Sequence, residues 1–352
     1  MAQTAEQQEP EVDCKEDLQV SAEEELRDPV QRQSFGDRLL SLGSSSMCPL
    51  VKLGLELIGL SVRLSWTLLV ASTRLLMPIS DKSLLGEIVL ITEAGRGIGR
   101  ELALKFAALG SVVVCWDADA QANRDTLRVI STDGGEAYGF AVNLSDRTDI
   151  EKAVQSMRKA GISDVSILIN NASTHIHRPF LEYTEKELSQ IFEIEVLSQF
   201  RTIQTFLPSM LSKKRGHIVC LCNMCGFDAA THHVPYYATK CAKKGLMEGL
   251  SEELRLKADD ASITLTTIHA FYTESADDRS NAGRRFSSIF GATSMECATK
   301  GVMRAIQKNY DECSIPRSLM YMCTVNRVVP AGTSRLIMDF LYGTKSKDDI
   351  PP

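Results

Sequence analysis

The run Thr92-Glu93-Ala94-Gly95-Arg96-Gly97-Ile98-Gly99 constrains this chain more than any other stretch. It follows an apolar strand candidate, Ile88 to Ile91, and opens a helix-patterned stretch, Arg100 to Leu109. Strand, glycine-rich turn and helix in that order are the context of a dinucleotide-binding turn. Glycines let backbone amides approach a pyrophosphate at a helix N-terminus, where the dipole favours an anion. A lone turn of this kind is often only a tight connection. Here a second apolar strand, Ser111 to Trp116, ends in Asp117, 20 residues after Gly97, and Tyr236-Tyr237-Ala238-Thr239-Lys240 begins 119 residues after that Asp.

Strand candidates near residues 87, 112, 139, 165, 217 and 263 alternate with helical patterns near 98, 121, 148, 185, 236 and 296. Such alternation predicts right-handed crossovers and a doubly wound parallel sheet in one α/β domain. Ligands of such sheets bind beyond the carboxyl ends of the strands. Glu93, Asp117, Asn171, Asn223 and the loop from Ala270 all map to that edge.

Asn170-Asn171-Ala172-Ser173 follows the strand Val165 to Ile169. With this motif added, the chain resembles the short-chain dehydrogenase/reductase family from about Leu84 to the C-terminal region. That family carries Thr-Gly-x-x-x-Gly-x-Gly, Asn-Asn-Ala-Gly and Tyr-x-x-x-Lys in the same order. The resemblance implies a Rossmann-like fold and a nicotinamide cofactor held by Thr92, Gly95, Arg96, Gly97, Ile98, Gly99, Asp117, Asn143, Asn171 and Lys240. It places catalysis at Tyr236, Lys240, Asn223 and Glu195. The chain also departs from the family: Glu93 stands at its first glycine, Asn143 at an Asp, Glu195 at the helix asparagine and Asn223 at the catalytic serine.

Tyr236 and Lys240 are four positions apart and share a helix face. An ammonium beside a phenol lowers the phenol pKa from about 10, so Tyr236 can exchange a proton with a substrate oxygen while nicotinamide exchanges the hydride. The Asn223 amide can replace a serine as donor to that oxygen, from a longer side chain. Glu195 has two readings: it pairs with Lys240 and raises the Tyr236 pKa, or it relays protons itself. Asp117 can accept hydrogen bonds from the ribose hydroxyls and repels a 2′-phosphate, which favours NAD over NADP. Arg96 pulls modestly the other way. Glu93 opposes a phosphate unless its side chain points into solvent.

Residues 1–37 carry 11 acidic and 3 basic side chains, so the remainder of a chain of net charge −6 is slightly basic. That leading segment buries little and reads as a disordered acidic tail over 1–47. No secretory signal is apparent, and the ten cysteines read as reduced thiols. Cys220, Cys222 and Cys225 lack a second ligand pair and read as small hydrophobes, and His232-His233 reads as a solvated or pocket-wall pair. No metal site and no nucleic-acid partner are expected.

Residues 48–79 read as a membrane anchor. Leu57 to Thr73 is apolar apart from Arg63 and a few hydroxyls. Lys52, Glu56, Arg63 and Arg74 fall within about 40° on a helical wheel. A narrow polar stripe on a long apolar helix suits a membrane interface or lipid-droplet monolayer first, a tilted spanning helix second and packing on the protein's own core third. The dehydrogenase domain is expected over 84–312, followed by an extension over 313–352. In that extension Ile315 to Tyr342 reads as a pocket cover or dimer surface, or as a second membrane-facing patch.

With its anchor, Trp116-Asp117 and Ile315-Pro316-Arg317-Ser318, the chain looks most like the membrane or lipid-droplet branch containing 17-beta-hydroxysteroid and retinol dehydrogenases. This implies a hydrophobic alcohol or ketone substrate, an endoplasmic-reticulum or lipid-droplet location with the domain facing the cytosol, and a homodimer formed by helices near 185–212 and 236–256. Two functions follow. One is an NAD(H)-dependent oxidoreductase; the other is a catalytically impaired relative that senses cofactor, binds lipid or docks a partner.

Overall fold

The computed structural model describes residues 49–76, 81–162, 164–174, 176, 178–223, 234–257, 262–270 and 294–342. The acidic leading segment, Pro78 to Ser80, Cys225, His232-His233 and the loop after Ala270 lie outside the described residues. The chain divides into a unit ending at Ser80 and a unit beginning at Asp81.

In the first unit, α1 (Pro49–Leu76) is one helix of 28 residues. Its opening proline suits the first helical position, where no N–H is needed. The window Pro49–Val70 is long and apolar enough to cross a membrane, and none of it is buried. The hydroxyls of Ser61, Ser65, Thr67 and Ser72 donate to carbonyls one turn back, at Leu57, Ser61, Arg63 and Leu68. These side chains therefore need no water.

The second unit alternates strands and helices as the sequence predicts. Its first half runs β1 (Ile88–Thr92), α2 (Gly97–Ala108), β2 (Val112–Asp117), α3 (Ala120–Thr132), β3 (Glu136–Ala141), α4 (Arg147–Lys159) and β4 (Ile167–Asn170). There follow α5 (Glu185–Phe192), a π turn (Glu193–Leu197), α6 (Ser198–Ser212), β5 (Arg215–Asn223), α7 (Val234–Lys257) and β6 (Ser262–Ala270). It closes with α8 (Met295–Gln307), β7 (Glu312–Ile315), α9 (Ser318–Val328) and α10 (Ala331–Tyr342). The seven strands pair in the order β3-β2-β1-β4-β5-β6-β7, and every pairing is parallel. This is the doubly wound, Rossmann-like sheet expected. β7 is an addition, arising where the extension was expected to begin.

Both faces of the sheet are covered at its centre, so β1, β2 and β4 are near-continuous apolar runs rather than alternating. Val89, Ile91, Val113 and Ile169 face the layer that contains Leu102, Phe106 and Val302; Leu90, Val114, Trp116 and Leu168 face the layer with Ile150, Ile203 and Phe206. Trp116 meets Phe206 with ring centroids 5.6 Å apart. Truncating a fully buried residue such as Leu90 to Ala costs about 2–5 kcal/mol. Sheet order reverses between β1 and β4, and the crevice at their carboxyl ends is where this architecture places ligands.

Candidate active site

At that crevice β1 hands over to α2 through a turn stretched over the loop after β4. The Thr92 hydroxyl accepts from the N–H groups of Asn171 at 2.9 Å and Ala172 at 3.1 Å and donates to the Ile169 carbonyl at 3.4 Å. A hydroxyl has one donor and two acceptor sites, so all are used. The Thr92 side chain serves as a strut between β1 and β4. The Asn171 side chain does similar work, donating to the carbonyls of Thr92 at 2.9 Å and Glu93 at 3.3 Å.

Gly97 holds φ at +53°, and a Cβ on Gly99 would fall on the Glu93 carbonyl oxygen and within 2.7 Å of Asn171 Nδ2. The first conformation favours glycine and the second position requires it. Asp119, Asp146, Thr184 and Ser294 cap α3, α4, α5 and α8, whereas the residue before α2, Arg96, caps nothing with its side chain. The first amides of α2, on Gly97, Ile98 and Gly99, are thus left for an anion. Ile98 contributes only its backbone, since its side chain joins the core. An uncapped helix start, approached closely through glycines, fits a dinucleotide pyrophosphate.

Asp117, at the end of β2, accepts from the N–H of Gly95 at 2.7 Å through Oδ2 and from that of Asp119 at 2.8 Å through Oδ1. It fixes the turn and still has a lone pair on each oxygen. Arg96 is ion-paired with Asp119, so its charge is locally matched. Asn143 is exposed and engaged in its own turn: its Oδ1 accepts the Ser145 N–H at 3.1 Å and its N–H donates to Asp149 at 2.8 Å.

The densest chemistry lies where α7 crosses the π turn. Tyr236 and Lys240 are both buried, and Lys240 Nζ sits 4.4 Å from the centroid of the Tyr236 ring. Lys240 donates to Glu195 Oε2 at 2.7 Å and to Ser173 Oγ at 3.1 Å. Lys243 reaches the same Glu195 oxygen at 2.8 Å and the Ala172 carbonyl at 3.0 Å. The other oxygen, Glu195 Oε1, accepts from Ser173 Oγ and from the Thr174 N–H, each at 2.7 Å. A π turn adds one residue to the helical turn, and here it carries the fully buried Glu195.

Burial alone would raise the Glu195 pKa, but Lys240 and Lys243 together hold it down to about 2. Of the two readings of Glu195, pairing with Lys240 is therefore the one the geometry realises. Burial, the largest single influence, lowers the Lys240 pKa, but Glu195 with Cys222 and Cys220 raises it for a net rise. Neither Ser173 nor Lys243 was singled out in the sequence. Lys243 lies three residues after Lys240 and seven after Tyr236, on one helix face, which is the signal that could have found it.

Glu93 does not turn into solvent. It occupies the left-handed region at φ +53° and brings Oε2 within 3.0 Å of the Ser173 N–H. Burial, the larger influence, outweighs that hydrogen bond and pushes its pKa up to about 7. On β5, Cys220 and Cys222 are buried with sulfurs 3.7 Å apart. The hydrogen bond from Cys222 is the main influence bringing the Cys220 thiol down to about 7, against burial and with help from Lys243. Asn223 ends β5 in register with Ala270 of β6, at the carboxyl edge.

A profile of the short chain dehydrogenase family matches residues 87–282. Estradiol 17-beta-dehydrogenase 11 of Homo sapiens is 32% identical over 260 residues, covering 73% of this chain and 84% of that protein. Epidermal retinol dehydrogenase 2 of Homo sapiens is 29% identical over 277 residues, covering 78% and 89%. A solved short chain dehydrogenase/reductase from Burkholderia phymatum, in complex with NAD, superposes with a TM-score of 0.60 at 20% identity, covering 70% of this chain and 94% of that one. The chain belongs to the short chain dehydrogenase family.

Proposed function

We propose that this chain is a membrane-associated, NAD(H)-dependent oxidoreductase acting on a hydrophobic alcohol or ketone. The observation that carries the reading is the buried Lys240 ammonium 4.4 Å from the Tyr236 ring centroid. A cation there favours the phenolate, so Tyr236 takes a proton from an alcohol oxygen in one direction and returns it to a carbonyl oxygen in the other. A bound nicotinamide supplies the partner for the hydride. Asn223, at the end of β5, orients the substrate oxygen by donating its amide hydrogen. Glu195 fixes Lys240 in place.

The uncapped start of α2 supports a pyrophosphate, and the free lone pairs of Asp117 support a ribose diol in place of a 2′-phosphate. A steroid, retinoid or fatty-chain alcohol is supported by relatives named for estradiol and retinol. The length of α1 and its internally satisfied hydroxyls support anchoring at the endoplasmic reticulum or a lipid droplet, with the domain in the cytosol. Exposed Phe192, Phe200, Leu211 and Leu256 support a homodimer through α5, α6 and α7.

The test is turnover of steroid, retinoid and fatty alcohols by full-length protein with NAD. Turnover lost in Tyr236→Phe supports the assignment; turnover retained there overturns it. A second reading is favoured by Glu93 and Glu195, two carboxylates turned into the site. On that reading the fold binds cofactor or lipid without turning over substrate. NADH binding with every alcohol inert, even in a Glu93→Gly variant, would select it.

A further inference from the structure

Glu195 and Lys240 alone would cancel. A carboxylate 2.7 Å from the ammonium removes most of the field that Lys240 exerts on a neighbouring phenol. Yet the site holds a third buried charge. Lys243 contacts the same Oε2 at 2.8 Å, and its remaining bond is to a neutral carbonyl, so the three groups together carry one positive charge. The carboxylate is shared between two cations.

We propose that Lys243 is a positioning residue for the Tyr236–Lys240 pair: by taking half of the Glu195 carboxylate, it leaves Lys240 a net positive charge facing the Tyr236 phenol. This rests on the proposed function for its use, since an excess charge at Tyr236 matters only if that phenol exchanges protons.

The surrounding groups are consistent with it. From the turn after β1 comes Glu93, half neutral near pH 7. From β5 come Cys222, held well above the usual thiol range by its bond to Cys220 and by burial, and Cys220, brought down to about 7 chiefly by the same bond. On β6, His269 faces Glu312, which Lys244 of α7 also pairs with. On α5, Glu187 pairs with Arg178. Glu195 is thus the fixed negative charge in contact with the two lysines, and Lys243 is the group that offsets it.

The test reads Tyr236 directly and needs no substrate. Ultraviolet titration of full-length protein, minus the same titration of Tyr236→Phe, isolates the tyrosinate signal of Tyr236. Lys243→Met should move that midpoint up by about one unit, Glu195→Gln should move it down by a similar amount, and the double variant should return near the parent. Lys243→Arg, which keeps the charge, should leave it in place. Should Lys243→Met fail to fold, Glu195→Gln compared with Glu195→Gln/Lys243→Met carries the test, because removing the Lys243 charge must still raise the midpoint. A midpoint unmoved by loss of Lys243 in either background overturns the proposal. If the midpoints shift as stated but Tyr236→Phe keeps full turnover, the positioning stands and the catalytic assignment fails.

Discussion

The Glu93 carboxylate accepts the backbone N–H of Ser173 at 3.0 Å. Through that bond the glycine-rich turn holds the loop after β4, and the same Ser173 gives its hydroxyl to Glu195. The glycine-rich turn and Lys240 therefore share one hydrogen-bonded chain.

With its pKa raised from 4.5 to about 7, Glu93 is protonated in the fold under conditions where the unfolded chain ionises it. Its stabilisation is complete below about pH 4.5 and is lost as pH rises through about 7, a swing of up to roughly 3 kcal/mol. Urea unfolding of parent and Glu93→Gln across that window should show the variant gaining on the parent as pH increases. NADH binding should follow the same carboxylate, weakening on the order of tenfold from acidic to alkaline pH in the parent and staying flat in the variant.

Glu195 behaves oppositely. Its pKa, held at about 2, gives stability that is present above about pH 4.5 and lost as pH falls toward 2. Removing the carboxylate leaves two buried ammonium groups, so Glu195→Ala should cost about 3–5 kcal/mol in denaturant titrations. Adding Lys243→Met should recover much of that loss, because one of the stranded charges leaves with it. Simple additivity of the two changes would contradict the shared carboxylate.

On the proposed reading of Asp117 as the ribose acceptor, Asp117→Ala should narrow a preference for NADH over NADPH by deleting both that acceptor and the repulsion of a 2′-phosphate. It should also lower the thermal midpoint, since the N–H groups of Gly95 and Asp119 lose their acceptor. Isothermal titration with both cofactors checks the first effect. An unchanged ratio would mean that Asp117 serves only the turn.

Fused to a soluble reporter, Pro49–Leu76 should carry it to membranes or lipid droplets, and deletion of the segment should release the remaining protein. Flotation of vesicles mixed with each protein measures this. A reporter that stays with the soluble fraction would exclude an autonomous anchor.

The sheet was legible because runs such as Ile88 to Ile91 and Val112 to Trp116 are apolar on both faces, and only a covered parallel sheet needs that pattern. β7 was not: Glu-Cys-Ser-Ile has too little apolar content to announce itself and is recruited by pairing with β6. Tyr236, Lys240 and Glu195 were readable by motif and position, and the structure brings them together. Lys243 was not, because a lysine in an amphipathic helix ordinarily marks the solvent face, and its burial depends on a carboxylate 48 positions earlier in the chain. The inward turn of Glu93 was equally hidden, being decided by one amide on another strand's loop.

The π turn has a consequence for how the molecule can vary. One residue beyond the α-helical count rotates everything that follows by about 100°. Upstream, α5 buries only Ile191; downstream, α6 packs Thr202, Ile203, Phe206 and Met210 beneath the sheet. Glu193–Leu197 therefore works like a clutch between two shafts. With α6 seated, deleting Val196 or Leu197 should turn Glu195 by about 100° away from the lysines and carry α5 with it, whereas deleting Glu193 or Ile194 should leave Glu195 in place.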